Sequence, residues 1–267
     1  MSKPYRRCMP AREGMEFAER HQRILGIARV EGRVEVSQLS QRLAVSLETV
    51  RRDLRLLEAH GVLRRTHGGA YPVENAGFET QLSQRSGARV HEKLRIARAA
   101  VGCLSDESSV FMDEGFTPRL IAEALPPGRG LTVLTASVPL AAAIASRTDL
   151  TLILLGGRVR SNTLAAVGAA TTGMLARYVI DLAFLGANGI SLAHGLTTPD
   201  PAVADVKRQA IRSSRRRVLV GVSSKFGISS FCRFGELSDI ETIVTDEGLP
   251  VADARRFAKR GAQVVRV

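Results

Sequence analysis

Residues 46 to 54 read Ser-Leu-Glu-Thr-Val-Arg-Arg-Asp-Leu, and place hydroxyls, guanidinium groups and carboxylates at helical spacing. Ser46 is positioned to cap a helix beginning at Leu47, because a serine side chain satisfies a backbone donor that the first turn leaves orphaned. Val50, Leu54 and Leu57 recur at i, i+4 and i+7 and make one apolar face. Thr49, Arg51, Arg52 and Arg55 collect on the opposite face. Such groups on the outer face of a helix's first turns are the chemistry that enters a DNA major groove. The plain alternative is a solvated basic face with no partner.

The neighbouring elements decide between the two. Residues 16–30 carry Phe17, Ile24, Leu25 and Ile27 and predict a helix that Gly32 ends. Ser37 is expected to cap a short second helix through Leu39 and Leu43, with Ala44-Val45 as a tight connection to the third. Two helices so joined, the second basic on its outer face, predict a helix-turn-helix. His60-Gly61 stops the third helix, and residues 62–71 read as a small β-wing whose Arg64 and Arg65 can reach phosphates beside the groove. The expected DNA-contacting set is Ser37, Gln38, Ser46, Glu48, Thr49, Arg51, Arg52, Arg55, Arg64, Arg65 and His67. Cap, short helix and wing together favour DNA over the solvated face.

At 267 residues and 45% hydrophobic composition the chain can bury two cores, one small and one of average size. The expected division is a basic arm over 1–16, a winged helix-turn-helix over 17–72, a linker over 73–90 and an α/β domain over 91–267. No charge-free apolar run approaches membrane-spanning length, and Met1 to Arg12 lack the apolar stretch of a secretion signal. Cys8, Cys103 and Cys232 are widely spaced, with no Cys/His cluster, so neither a disulfide framework nor a metal site is expected, and no cofactor. A reducing cytoplasm fits. The net charge of +12 suits a polyanionic partner but does not locate its site, since residues 1–75 hold 14 basic and 9 acidic residues and the remainder 24 and 17.

Beyond the linker, helical segments (93–104, 118–125, 138–146, 168–178, 201–214) alternate with strand-like ones (109–112, 131–134, 152–155, 182–187, 218–222, 242–245). Segments 252–259 and 264–267 close the chain. The strands are apolar throughout rather than alternating, which predicts a largely parallel sheet covered on both faces. Ligands of such sheets bind outside the carboxyl ends of the strands. The segments expected there are Asp113 to Thr117, Ser137, Gly156-Gly157-Arg158, Asn188-Gly189 and Ser223 to Gly227. Glycines let backbone approach an oxyanion, Thr117 is placed to cap the helix that follows, and Lys207 and Lys225 offer point charges for a phosphate. Each also has an ordinary reading, as turn glycine, cap or solvated lysine.

Arg23-Ile24-Leu25, Gly32, Leu39, Leu43, Val45-Ser46, Thr49 to Leu54, Leu57-Glu58, Gly61 and His67 to Ala70 resemble the N-terminal signature of the DeoR family. These are bacterial regulators with a winged helix-turn-helix ahead of a sugar-phosphate-sensing domain. Asp113, Gly115, Thr117, Gly156-Gly157, Phe184 to Gly186, Gly195-Leu196, Lys207, Ser224 to Gly227 and Thr245-Asp246 resemble its effector domain, which is related to the ribose-phosphate isomerase and CoA-transferase fold. The resemblance implies a non-enzymatic repressor of a carbohydrate or related operon, working on the nucleoid; a homo-oligomer is expected because one such module reads little sequence and a symmetric pair doubles it. Its partners would be double-stranded operator DNA and a phosphorylated sugar or derivative. Strand-end position and resemblance together give the candidate effector residues Asp113, Gly115, Thr117, Ser137, Gly156, Gly157, Lys207 and Lys225.

Three positions depart from the family. Phe116 stands where a Ser or Thr is usual, Val203 where Glu is common and Val222 where Asp is common. Apolar side chains cannot hydrogen-bond sugar hydroxyls, so the expectation is an effector smaller, less polar or differently oriented than a typical sugar phosphate, or a weakened sensing of it. Two rival readings stay open: an isomerase-like enzyme with a DNA-binding head, and a constitutive DNA binder with a vestigial pocket. Val203 and Val222 weaken the first, because aldose–ketose isomerisation needs a carboxylate or equivalent base near the transferred proton.

Overall fold

The computed structural model describes residues 17–31, 33–59, 63–66, 68–72 and 89–267, which fall into two compact units divided after Asn75. The expected basic arm, the Gly32 and Gly61 stops, His67 and most of the expected linker lie outside the described residues, as does the side chain of Arg64.

The first unit is a helix-turn-helix with a wing. Helices α1 (Phe17–Glu31), α2 (Val36–Leu43) and α3 (Leu47–Ala59) pack with strands β1 (Val34–Glu35), β2 (Leu63–Thr66) and β3 (Gly69–Pro72), which form an antiparallel sheet in the order β1-β3-β2. Ile24, Ala28, Leu39, Val50, Leu54 and Leu63 centre the core. The turn after α2 places Ala44 in the left-handed region at φ 53°, and Ser40 Oγ braces it by donating to the Val45 carbonyl at 2.6 Å. Ser46 caps α3 as expected, its Oγ accepting from the Thr49 amide at 3.0 Å.

Ser37 does not cap α2. The N-cap is Glu35, whose side chain makes no capping bond, because β1 pairs with β3 and runs directly into the helix. The first free amide, that of Val36, donates instead to the Gly68 carbonyl at 2.9 Å. The sheet fixes where this helix begins.

The second unit is doubly wound. Its chain order is α4 (Val90–Val101), β4 (Ser109–Met112), α5 (Phe116–Glu123), β5 (Thr132–Thr135), α6 (Val138–Ile144), β6 (Thr151–Leu154), β7 (Arg158–Val159), β8 (Ala166–Val167), α7 (Ala169–Leu175) and β9 (Ile180–Gly186). There follow β10 (Gly189–Ser191), β11 (Gly195–Thr198), α8 (Pro201–Ser213), β12 (Ser214–Val220), β13 (Cys232–Gly235), β14 (Thr242–Thr245), α9 (Val251–Ala258) and β15 (Gln263–Arg266). Seven strands form one parallel sheet in the order β15-β14-β12-β9-β4-β5-β6. Alternate residues feed opposite faces. Val110, Met112, Leu182 and Phe184 pack with α4, α5 and α6, whereas Phe111, Ala183, Leu185 and Leu219 pack with α7, α8 and α9. None of the described helices is long and apolar enough to cross a membrane.

Two features depart from the sequence reading. A second sheet, β10-β11-β13, and the β7–β8 hairpin are antiparallel additions that apolar patterning does not announce. Thr117 is not a cap either: Gly115, at φ 119°, is the N-cap of α5, and Thr117 lies buried in the first turn.

One buried charge holds α3 in place. Asp53, 1% exposed, accepts from Arg20 Nε at 2.6 Å and Nη2 at 3.1 Å, and lies 3.1 Å from His21 Nε2. Burial alone would raise its pKa, but the hydrogen bonds and charges of Arg20 and His21 outweigh burial and hold it below its ordinary 3.8. Because the folded value is depressed, the stability it supplies is present above pH 3.8 and is lost as pH falls through the lower folded value. Asp53→Ala leaves Arg20 without its buried partner and should cost about 3 kcal/mol. Amide exchange within 17–31 and 47–59 of the full-length protein at neutral pH should then accelerate on the order of a hundredfold. Unchanged exchange would show that the carboxylate is not what holds the two helices together.

Candidate functional site

On the head, α3 turns one face outward. Ser46, Glu48, Arg51, Arg52 and Arg55 are exposed, as are Ser37 and Gln38 on α2. Thr49 is half-buried, its hydroxyl 2.8 Å from that of Ser46. Two of the arginines are folded onto the helix by Glu48, which takes Arg55 Nη2 at 2.8 Å and Arg51 Nη1 at 3.5 Å. Arg52 makes no ion pair among the described residues and points its charge at solvent. The wing is tied back through Glu58, which accepts from the Arg65 amide at 3.0 Å and pairs with its guanidinium at 3.9 Å. Sequence reasoning gave Glu58 no role, although its place one turn before the wing was the available signal.

The winding of the second unit reverses between β4 and β9. From β4 the chain extends through β5 to β6, then returns to β9 on the other flank of β4 and continues outward. In open α/β sheets such a switch point is where ligands commonly bind. At the end of β4, buried Asp113 is held by a charge-assisted hydrogen bond from Lys207 on α8; the two side chains are 2% and 3% exposed. Both also grip the end of β9, since the Gly186 amide donates to Asp113 Oδ2 at 2.8 Å and Lys207 donates to the Gly186 carbonyl at 3.1 Å. The Lys207 ammonium lies 5.5 Å over the ring of Phe234. The lysine is therefore a bound, desolvated charge rather than a solvated one.

The other expected residues stand on the same side of the sheet, each fixed locally. Ser137 follows β5 and caps α6 by accepting from the Leu140 amide at 3.3 Å. Gly156 and Gly157 follow β6. The Gly156 carbonyl accepts from Thr171 Oγ1 at 2.8 Å, and a Cβ on Gly157, at φ 148°, would lie 2.0 Å from the same hydroxyl. That close approach gives Gly157 a packing reason to be glycine. Lys225 ends a short 3-10 turn after β12, anchored by Asp246, which accepts from the Ser223 amide at 2.6 Å and its hydroxyl at 2.7 Å. Burial would raise the Asp246 pKa, and these bonds with that of the Gly248 amide hold it low instead. In the same turn Ser224 Oγ is shielded from solvent and has no hydrogen-bond partner among the described residues.

Further polar groups at this edge were missed. Asp200 is the N-cap of α8, accepting from the amides of Ala202 and Val203, and it pairs with Arg160 at 3.1 Å. Thr198 donates to the Asn188 side chain at 3.1 Å, just past β9. Val203 and Val222, apolar where the family is acidic, are both buried in the core clusters. Their side chains serve packing.

Comparison with known proteins agrees with this anatomy. The DeoR-like helix-turn-helix domain matches residues 20–75, and the DeoR C terminal sensor domain matches residues 88–247. The HTH-type transcriptional regulator GlpR of Haloferax volcanii is 35% identical over 93% of this chain and 97% of its own length. The glycerol-3-phosphate regulon repressor of Escherichia coli is 31% identical over 89% and 94%. The regulator FruR of Bacillus subtilis is 33% identical over 85% and 90%. Among solved structures, a ribose 5-phosphate isomerase A from Methanocaldococcus jannaschii matches about half of each chain at 17% identity, with a TM-score of 0.36. With both domains matched and relatives aligned over nearly their whole length, the chain belongs to the DeoR family of DNA-binding transcriptional regulators.

Proposed function

We propose that this regulator represses a carbohydrate or related metabolic operon and is released by a phosphorylated metabolite bound at the Asp113–Lys207 pair. The observation that carries the first half is the outward face of α3, where Arg52 is uncommitted and Arg51 and Arg55 are held only by exposed Glu48. Exposed ion pairs are worth about 0–1 kcal/mol, so the exchange of Glu48 for phosphate or a base edge costs little. Ser46 and Thr49, with Ser37 and Gln38 at the end of α2 toward the groove, complete the contact set, and Arg64, Arg65 and His67 of the wing add phosphate contacts. The desolvated ammonium at the switch point supports the second half, as does a relative named for a glycerol-3-phosphate regulon. Asp113, Gly115, Thr117, Ser137, Gly156, Gly157, Lys207 and Lys225 remain the proposed effector set, with Ser224 as a further donor. Asp113 is already committed to Lys207 and Gly186, which favours sensing over proton transfer. The proposed setting is the cytoplasm, and the proposed working form a homo-oligomer, since a symmetric pair doubles the sequence that one head reads.

Three measurements test this. Arg52→Ala should weaken binding to a duplex selected from random sequence by about 1–3 kcal/mol and relax preference at one base if the guanidinium reads guanine. If it grips phosphate, affinity should fall evenly across sequences and the salt slope should flatten by about one. Titrations at several salt concentrations separate these outcomes, and unchanged binding would remove α3 from the interface. Lys225→Ala should abolish the response of operator binding to a panel containing glycerol 3-phosphate and hexose phosphates; a full response in the variant would take Lys225 out of the site. Sedimentation should show an oligomer at micromolar concentration, and a 28.8 kDa species alone would rule the homo-oligomer out.

A further inference from the structure

The two edges of the parallel sheet are built differently. At one of them β15 carries Gln263 and Arg266, and the helix packed beside it, α9, exposes Arg255, Arg256, Lys259 and Arg260. Charged side chains are a usual defence of an edge strand against pairing with another chain. At the other edge β6 reads Thr-Leu-Ile-Leu. The sequence holds no charge from Leu131 to Ser146, which spans β5 and α6, and none from Leu150 to Gly157, which spans β6. Between these stretches Arg147 and Asp149 pair with each other, Arg147 Nε donating to the carboxylate at 3.0 Å. This edge lacks the defence that the other has.

The same edge is apolar. Eight large hydrophobic side chains are exposed among the described residues, and four of them, Val138, Leu154, Val159 and Leu164, gather here. Leu154 pairs with Thr135 of β5, and Val159 lies on the β7–β8 hairpin that follows β6. The Val138 amide, at the start of α6, donates to the Leu164 carbonyl at 3.0 Å. Leu164 is held at φ 53°, which leucine rarely adopts, and still turns its side chain to solvent. The backbone of β6 is open as well. The Thr151 and Leu155 amides donate to the Leu131 and Thr135 carbonyls of the β5 side at 2.9 and 2.8 Å. Leu152 and Leu154 therefore turn their N–H and C=O groups the other way, where no strand lies among the described residues.

We propose that β6 is the edge through which two copies of this chain pair, antiparallel about a two-fold axis through Ile153. This rests on the homo-oligomer reading above and gives it a surface. An axis at Ile153 sets Leu152 of each copy opposite Leu154 of the other. Each such pair exchanges two N–H···O=C bonds, so every outward group of Leu152 and Leu154 is met. Charge selects a second copy as the occupant. The edge offers a polyanion nothing to bind, and two chains of net charge +12 repel over most of their surfaces, so a neutral apolar edge is where they approach at least cost. The nearest exposed charge beyond β6 is Arg158, and antiparallel order sets the two copies of it at opposite ends of the pairing. An axis perpendicular to the sheet also brings the α6 layers to the same side of the join, and the exposed residues of that helix, Val138 and Ala142, are uncharged.

The test is sedimentation of the full-length protein over a range of concentrations, with folding of each variant checked by thermal unfolding. Leu154→Arg places like charges on both sides of the join and should weaken association at least tenfold. Leu154→Pro removes the outward N–H and leaves the bonds to β5 in place, since proline is tolerated on an edge strand where the N–H faces outward. It should also weaken association at least tenfold, and Leu154→Arg carries the test alone if the proline variant does not fold. Val251→Arg, at an exposed apolar residue of α9 beside the other edge, should change association less than twofold. Amides of residues 151–155 should exchange more slowly in the wild-type assembly than in dissociated Leu154→Arg. A wild-type assembly that either folded Leu154 variant leaves unchanged, or whose 151–155 amides gain no protection, overturns this surface and leaves the homo-oligomer standing. A wild type that sediments only as a 28.8 kDa species overturns both.

Discussion

A buried ion pair at the reversal of the sheet is the constraint on which the second unit turns. Asp113 and Lys207 are each almost wholly removed from water, and desolvating two charges costs more than their mutual attraction returns unless further hydrogen bonds complete them. Gly186 supplies those bonds, amide to the carboxylate and carbonyl to the ammonium. The end of β4, the end of β9 and the second turn of α8 are thereby fixed to one another. Apolar replacements of similar volume would hold these elements about as well. What the pair adds is a donor and an acceptor stripped of water at the place where the strand order reverses.

The head sorts its charges by the same physics. Asp53 lies inside, completed by Arg20 and His21, and sets the attitude of α3 against α1. Glu48 lies outside and holds Arg51 and Arg55 loosely. Exposed pairs contribute little, and a buried pair is expensive to break. The outer arginines are consequently free to trade partners while the helix that carries them does not move. Position and readiness to exchange are divided between two carboxylates five residues apart on one helix.

Much of this was legible in the sequence because it is written in short periods. Val50, Leu54 and Leu57 at helical spacing predicted the buried face of α3, and Ser46 its cap. Apolar runs such as those at 109–112 and 242–245 predicted strands buried on both faces. What sequence reasoning lost was fixed by distant partners. Ser37 resembles a cap, but a strand pairing with residues 69–70 decides where α2 begins. The antiparallel strands β7, β8 and β10 are two or three residues long, too short to show alternation, and form through pairing rather than patterning. The packing reason for Gly157 was hidden as well, since Thr171, distant in the chain, occupies the space of its missing side chain. Phe234 and the Arg160–Asp200 pair have no local signature, because the groups they meet lie far away in the chain.

Effector control of the head requires an element of the second unit that lies next to the head in the chain. In the chain that element is α4, which begins at Val90 and is the first described helix after the wing. A ligand shifts an equilibrium only by the difference in its affinity for the two states, and couplings of about 1–3 kcal/mol are typical of such regulators. One charge-assisted hydrogen bond made in one state and absent from the other is worth about as much. No large rearrangement of the sheet is then required, and the buried pair at its centre argues against one. The first helix of that unit, α4, packs with α5 on the sheet face lined by Val110, Met112 and Phe184.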